Sequence, residues 1–378
     1  MTDRHFHYIV PVWGKEYTEL FANVCLPLTI ANGNIKSGNR SKLDRFVIVT
    51  TYSDAAYLKD HPSIEELCRH IVVEFILVDG QINLEDTHAA MSDCYVLAMR
   101  SSHVVLGETY FVFLTPDSFW SEDCFSRLRK IADEGYCVAM AMGLRTKFET
   151  IVPALTEHLS QNADNRTIQM DDLVSLALKH LHNMSNAHNW LSEEGFLNSW
   201  PSHIYWIGNH DLLLAHCFHL HPLMVLSKRG ISKFAETIDG DFLDKLNYPL
   251  NKYYIAQGND DFLGIEISDS TRSWGQELSP PSLKRVKRFG TFFASHLHWH
   301  FFQHQIRYTG AGYRASTLEP PLNNLITFFI EETLKSKRVS IILSKLGLHG
   351  VIFRMAIMPR VKRLLRYVLM LRSLPHRI

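Results

Sequence analysis

What most narrows the fold of this chain is an alternation, sustained through its first 150 residues, of short β-rich apolar runs with stretches of helical periodicity. Tyr8 to Val12, Phe46 to Thr50, Glu74 to Val78, Tyr110 to Leu114 and Cys137 to Met142 are the strand-like runs, short and rich in branched or aromatic residues. Between them Leu20, Val24 and Leu28 sit at helical spacing. Ser63 stands as a candidate N-cap before Ile64-Glu65-Glu66, Thr87 to Ser101 reads as a helix, and another runs from Ser121 to Glu134. Buried strands joined by helices are βαβ units. They predict an α/β fold with a Rossmann-like, mostly parallel sheet, helices on both faces and a ligand at the carboxyl ends of the strands.

From Leu155 to Ser199 the pattern turns to helices rich in His and Asn, one starting at Asp171-Asp172 and closing near Asn183. Strand-like His203 to Ile207, Met224 to Leu226 and Tyr253 to Ala256 follow, and Ser279-Pro280-Pro281-Ser282 reads as a loop. A length of 378 residues allows one large domain with appendages, or two domains. The expected division is a first half over 1–150, a second half of the same domain over 151–280, and a helical basic extension over 281–378.

Hydrophobic residues at 46% and charged residues at 21% exclude a disordered or fibrous chain. The 39 Lys plus Arg balance 39 Asp plus Glu, so net charge gives no argument for a polyanion partner, and no nucleic-acid module is present. The balance hides an asymmetry: from Thr333 to Ile378 there are eleven Lys or Arg and no Asp or Glu. Within that tail Val361, Leu364, Leu365 and Val368 share one helical face, with Lys362, Arg363 and Arg366 largely on the other. The absence of acids favours a helix lying on an anionic membrane surface, an amphipathic helix docked on the domain being the alternative. Six scattered cysteines without CxxC, and an N-terminus without the order of a signal peptide, predict a reducing, cytoplasmic setting. The phosphate loop, dinucleotide fingerprint, zinc-peptidase motif and hydrolase elbow are all absent from the sequence.

The chemistry is expected where the apolar run Tyr110 to Leu114 meets Thr115-Pro116-Asp117-Ser118. A buried strand ending in an acid delivers a carboxylate to the ligand edge, although Asp117 also suits an N-cap of the next helix. Asp79-Gly80 ends another strand, where an ordinary turn is the alternative. Later, His219 and His221 alternate before Pro222, Asp239 and Asp241 flank Gly240, and Asp260-Asp261 follows Gly258-Asn259. His296, His298 and His300 would share one face if extended but not if helical. Trp190, Phe196 and Trp200 flank Glu193-Glu194, and suit either core packing or a sugar's apolar face.

This order of elements, over residues 6 to 270, resembles the nucleotide-sugar glycosyltransferases of the A fold, in which a DxD motif ends the fourth strand. The resemblance implies a nucleotide site at Pro11-Val12-Trp13-Gly14 and Asp79, with Arg145 as a cation beside the diphosphate. It also implies Mg²⁺ or Mn²⁺ at Asp117, with His219 or His221 as a late ligand, and Asp239 or Asp241 as the acceptor's base. The first Asp of DxD is Thr115 here. The expected activity is transfer of a sugar from a nucleotide diphosphate to a glycan or lipid-linked acceptor in surface-polysaccharide synthesis, on the inner face of the membrane. A nucleotidyltransferase and an inert glycan-assembly scaffold are the rival readings.

Overall fold

The computed structural model describes residues 4–31, 33–36, 41–84, 86–100, 103–161, 167–208, 211–229, 238, 241–273, 275, 277–314 and 319–345. Its strands in chain order are β1 (His5–Pro11), β2 (Arg45–Thr50), β3 (Val72–Leu77), β4 (Thr109–Phe113), β5 (Ser118–Trp120), β6 (Val138–Ala141), β7 (Gly143–Lys147), β8 (His203–Gly208), β9 (Leu212–Cys217), β10 (His221–Leu226), β11 (Tyr253–Ile255), β12 (Gly264–Ser268) and β13 (Ile306–Thr309).

Seven of these form the main sheet in the order β3-β2-β1-β4-β10-β6-β11. β10 runs antiparallel to both β4 and β6, while the other pairs are parallel. The mostly parallel α/β architecture expected from the alternation is therefore the one adopted. Strands β1 and β4 are buried along their whole length, as a central strand covered on both faces must be. Pro222, which has no N–H to give to a ladder, sits at a register irregularity between β10 and β6. The sheet also takes β10 and β11 from beyond residue 150, so the two halves of the chain share one sheet and one core.

The crossovers agree with the helical periodicity in most places. Leu20, Val24 and Leu28 fall in one helical run from Lys15 to Ala31, with a π-helical turn over Phe21–Cys25. Thr87–Met99 and Cys124–Asp133 are helices, and Met170–Lys179 carries Asp171 and Asp172 in its first turn, where acids complement the helix dipole. One start differs. The helix expected to be capped by Ser63 begins at Pro62, with His61 as its cap, because proline is suited to the first helical position.

Strands missed from the sequence, joined by the expected His203 to Ile207 run as β8, build two small sheets, β5-β12-β7 and β13-β9-β8. The second is a partition between two cores, and its period-two alternation shows it. In β9, Leu213, Ala215 and Cys217 face the main core, whereas Leu212 and Leu214 face a second cluster with Ile204 and Trp206 of β8. Phe218, Phe289, Trp299, Phe302 and Phe329 complete that cluster, with the rings of Phe218 and Phe302 stacked at 4.1 Å. Truncating such a ring to Ala costs about 3–5 kcal/mol.

The segment from 281 is therefore not only a helical appendage, since β13 joins β9 and the helices Leu283–Phe292, His296–Phe302 and Glu319–Lys345 cover the partition. The His296–His300 run is a helix that buries Leu297, Trp299, Phe301 and Phe302, so its imidazoles do not share a strand face. Trp190 and Phe196 pack in the second core, 5.2 Å apart. The amphipathic face expected at Val361 to Val368 lies outside the described residues. Among the described residues no helix is long and apolar enough to cross a membrane.

Candidate active site

A cavity of about 550 Å³ opens at the carboxyl edge of the main sheet, where β1 and β4 end. Pro11 and Trp13 enter it from the turn after β1, and Tyr17 from the helix that follows. Gly14 makes that turn with φ of 83°, a conformation costly for any residue bearing a Cβ, and its N–H donates to Asp54. Thr115, Pro116, Asp117 and Ser118 line the cavity at the end of β4. Asp117 is not a helix cap: the next helix begins at Cys124 behind Asp123, and Asp117 leads straight into β5.

The small sheet β5-β12-β7 assembles the polar floor. Its register sets Glu266 of β12 beside Arg145 of β7 and opposite Ser118 of β5, and the Ile267 N–H donates to the Asp117 carbonyl at 2.8 Å. Arg145 Nη2 lies 2.5 Å from Glu266 Oε1. Arg272, on the loop after β12, donates to the Tyr17 hydroxyl and sits over its ring at 5.8 Å. Asp117, Glu266, Arg145 and Arg272 all line the one cavity. Gly264 is required beneath them, because a Cβ there would stand 2.9 Å from the Trp120 indole.

These charges set one another's protonation. Burial pushes the Glu266 carboxyl up to about 7, with Asp117 adding to the rise and Arg145 and Arg272 opposing it. The Asp117 carboxyl is also raised, by burial first, against the pull of the Thr115 hydroxyl, Arg145 and Arg272. Glu266 keeps 32% of its side-chain surface exposed, and its floor position turns that surface to the cavity. The protein walls supply the desolvation. A carboxyl that titrates near neutrality beside a cation is suited to exchanging protons with a bound hydroxyl.

A histidine-rich wall closes the other side. His188, His203 and His219 line the cavity with Tyr205, the rings of His188 and His203 being 5.1 Å apart. Burial holds His188 down to about 4 and His203 well below its ordinary value, so both are neutral donors and acceptors. His221 also lines the cavity, but its Nε2–H donates to the Phe113 carbonyl at 2.8 Å and its ring stacks on Trp120. The His219 ring lies 4.5 Å from that of His298.

Of the residues expected from the sequence, Pro11, Trp13, Asp117, Arg145, His219 and His221 meet in this cavity. Asp79 does not line it; its carboxylate accepts from the Tyr52 N–H at 2.7 Å. Asp261 accepts from Gln257, Tyr254 and Arg127, a structural cluster. Asp239 lies outside the described residues, and of Asp241 the structure describes only the backbone, at the start of the helix Asp241–Leu246. The residues expected to hold Mg²⁺ or Mn²⁺, Asp117, His219 and His221, all line this cavity. Among the described residues no group of three or more His, Cys, Asp or Glu could hold such an ion, and Asp117 faces two guanidinium groups. The sequence reading missed Glu266, Arg272 and Tyr17.

No protein-family model matches the chain, and no curated protein matches it. Among solved structures, Staphylococcus aureus TarS over residues 1–349 is 14% identical, with 38% of this chain and 36% of that chain covered at a TM-score of 0.27. A second structure of S. aureus TarS is 10% identical over 78% of this chain and 41% of that one, at a TM-score of 0.31. Mouse xyloside xylosyltransferase 1, in its apo form, is 12% identical over 42% and 59%, at 0.26. The chain thus spans about a third to three fifths of these proteins' lengths, and superpositions this loose carry no argument about activity.

Proposed function

We propose that this chain is a glycosyltransferase that moves a sugar from a nucleotide diphosphate to a hydroxyl acceptor. The observation that carries the reading is the convergence of two guanidinium groups and two carboxyls, Arg145, Arg272, Asp117 and Glu266, beneath Pro11 and Trp13 at the sheet's carboxyl edge. That edge is where open α/β sheets take nucleotide ligands. Trp13 and Tyr17 offer aromatic surface to a base. The guanidinium groups favour the charge that gathers on a departing diphosphate in an oxocarbenium-like transition state. Glu266, raised to about 7, takes the acceptor's proton as the new glycosidic bond forms. The neutral imidazoles of His188 and His203 suit the hydroxyls of an uncharged sugar.

The acceptor in this reading is a glycan or a lipid-linked glycan. The basic tail after Thr333 holds the enzyme at the anionic inner face of the membrane, close to such an acceptor. The test is a nucleotide-sugar panel scored by thermal shift, followed by release of nucleoside diphosphate with the binding donors. A panel in which nothing binds removes the reading, and binding without turnover for any acceptor favours a scaffold role.

A further inference from the structure

We propose that this chain neutralises its donor's diphosphate with Arg145 and Arg272 in place of a divalent cation. The inference rests on the nucleotide-sugar reading and adds to it how the phosphates are held.

Mg²⁺ and Mn²⁺ take hard oxygen ligands and, where phosphates supply some of them, still rest on one or two free carboxylates. Of that set the cavity offers Asp117, which shares its lining with Arg145 and Arg272. Thr115 presents a neutral hydroxyl, which donates to Ser118 Oγ at 2.9 Å. Glu266 is committed to Arg145, and the described carboxylates of the lining are Asp117 and Glu266. A dication placed at Asp117 would also meet the positive fields of both Arg145 and Arg272, which already act on that carboxyl.

The same geometry favours an anion. Arg145 arrives from a strand of the floor and Arg272 from the loop after β12, so the two reach the cavity from separate elements. Each is held by partners that orient it: Glu266 and Met184 Sδ for Arg145, and the hydroxyl and ring of Tyr17 for Arg272. A planar guanidinium presents two parallel N–H donors to a phosphate and needs no further ligands to do so. Tyr17 follows the Trp13 turn by four residues, so the residue that fixes Arg272 belongs to the element expected to carry the base.

Calorimetric titration of the full chain with UDP, GDP, ADP and dTDP, in EDTA and again in Mn²⁺, tests this. Affinity for the preferred nucleotide should agree within about twofold between the two conditions. Arg272→Gln, on an exposed loop, should weaken binding roughly ten- to hundredfold in both, the usual loss for a hydrogen bond to a charged group. Arg145→Lys, which keeps the charge and loses the fork, should weaken it less. Binding that requires Mn²⁺, or that survives Arg272→Gln unchanged, overturns the inference and leaves the nucleotide-sugar reading standing. No binding in either condition overturns both.

Discussion

Arg145 and Glu266 lie side by side on the parallel strands β7 and β12, 2.5 Å from guanidinium nitrogen to carboxylate oxygen, with Asp117 close enough to raise the Glu266 carboxyl. The pair is a coupling as well as a contact. Arg145 is shared between Glu266 and any anion that enters, so donor binding and the protonation of Glu266 are linked. Anion binding draws Arg145 from Glu266 and favours its protonated form.

Glu266→Gln separates the proton-accepting role from donor binding. Turnover should fall by roughly 10²- to 10⁴-fold, the usual contribution of a general base, while nucleoside diphosphate binds at least as tightly, because the neutral amide no longer competes for Arg145. The pH profile of kcat/KM in the native enzyme should rise through about pH 7, and that limb should vanish in the variant. Wild-type turnover with an unchanged limb assigns the proton transfer to another group.

Buried neutral histidines make the fold acid-sensitive. His7, His188 and His216 are each held down to about 4 by burial, against an ordinary value of 6.5. In the unfolded chain they bind protons at the higher value, so the unfolded state carries more protons between about pH 6.5 and 4. Stability should therefore fall as pH drops through that window, by up to about 3 kcal/mol for each such residue. Urea unfolding at a series of pH values measures the slope. His216→Gln, at a site where the native ring donates to the Phe302 carbonyl, should make that slope shallower.

The basic tail is expected to attach the chain to anionic membrane without being needed for the catalytic fold. Ile326, Phe329 and Thr333 of the helix Glu319–Lys345 are buried, and Glu332 pairs with Lys287 at 3.0 Å. A cut near Glu332 would open the second core, so the informative truncation ends at Lys345. That protein should keep its thermal transition and nucleotide binding and lose sedimentation with anionic liposomes at low salt. Undiminished sedimentation would place the membrane contact elsewhere.

The main sheet was legible because its strands are apolar and punctuated by helices, and Asp117 was legible because it follows a fully buried one. The floor of the cavity was not. β5 has three residues, and β7 and β12 are five-residue strands of mixed polarity, Gly143-Leu-Arg-Thr-Lys147 and Gly264-Ile-Glu-Ile-Ser268. Such strands alternate for too few residues to stand out from loop, and only tertiary pairing brings Glu266 to Arg145 across 121 positions. Ile265 and Ile267 flanking Glu266 were the available signal: an acid between two apolar residues two apart is a one-face carboxylate on a half-buried strand. Arg272 carries no pattern of its own, and its place is set by Tyr17, 255 positions earlier.

The most direct test of the account is donor-dependent release of nucleoside diphosphate by the full chain, across a nucleotide-sugar panel in EDTA, for the native protein and Arg272→Gln. The account predicts thermal stabilisation and release with one class of donor in the native protein, with both strongly reduced in the variant at an unchanged melting temperature of the free protein. Stabilisation by no donor, or identical stabilisation and release in the two proteins, would contradict it.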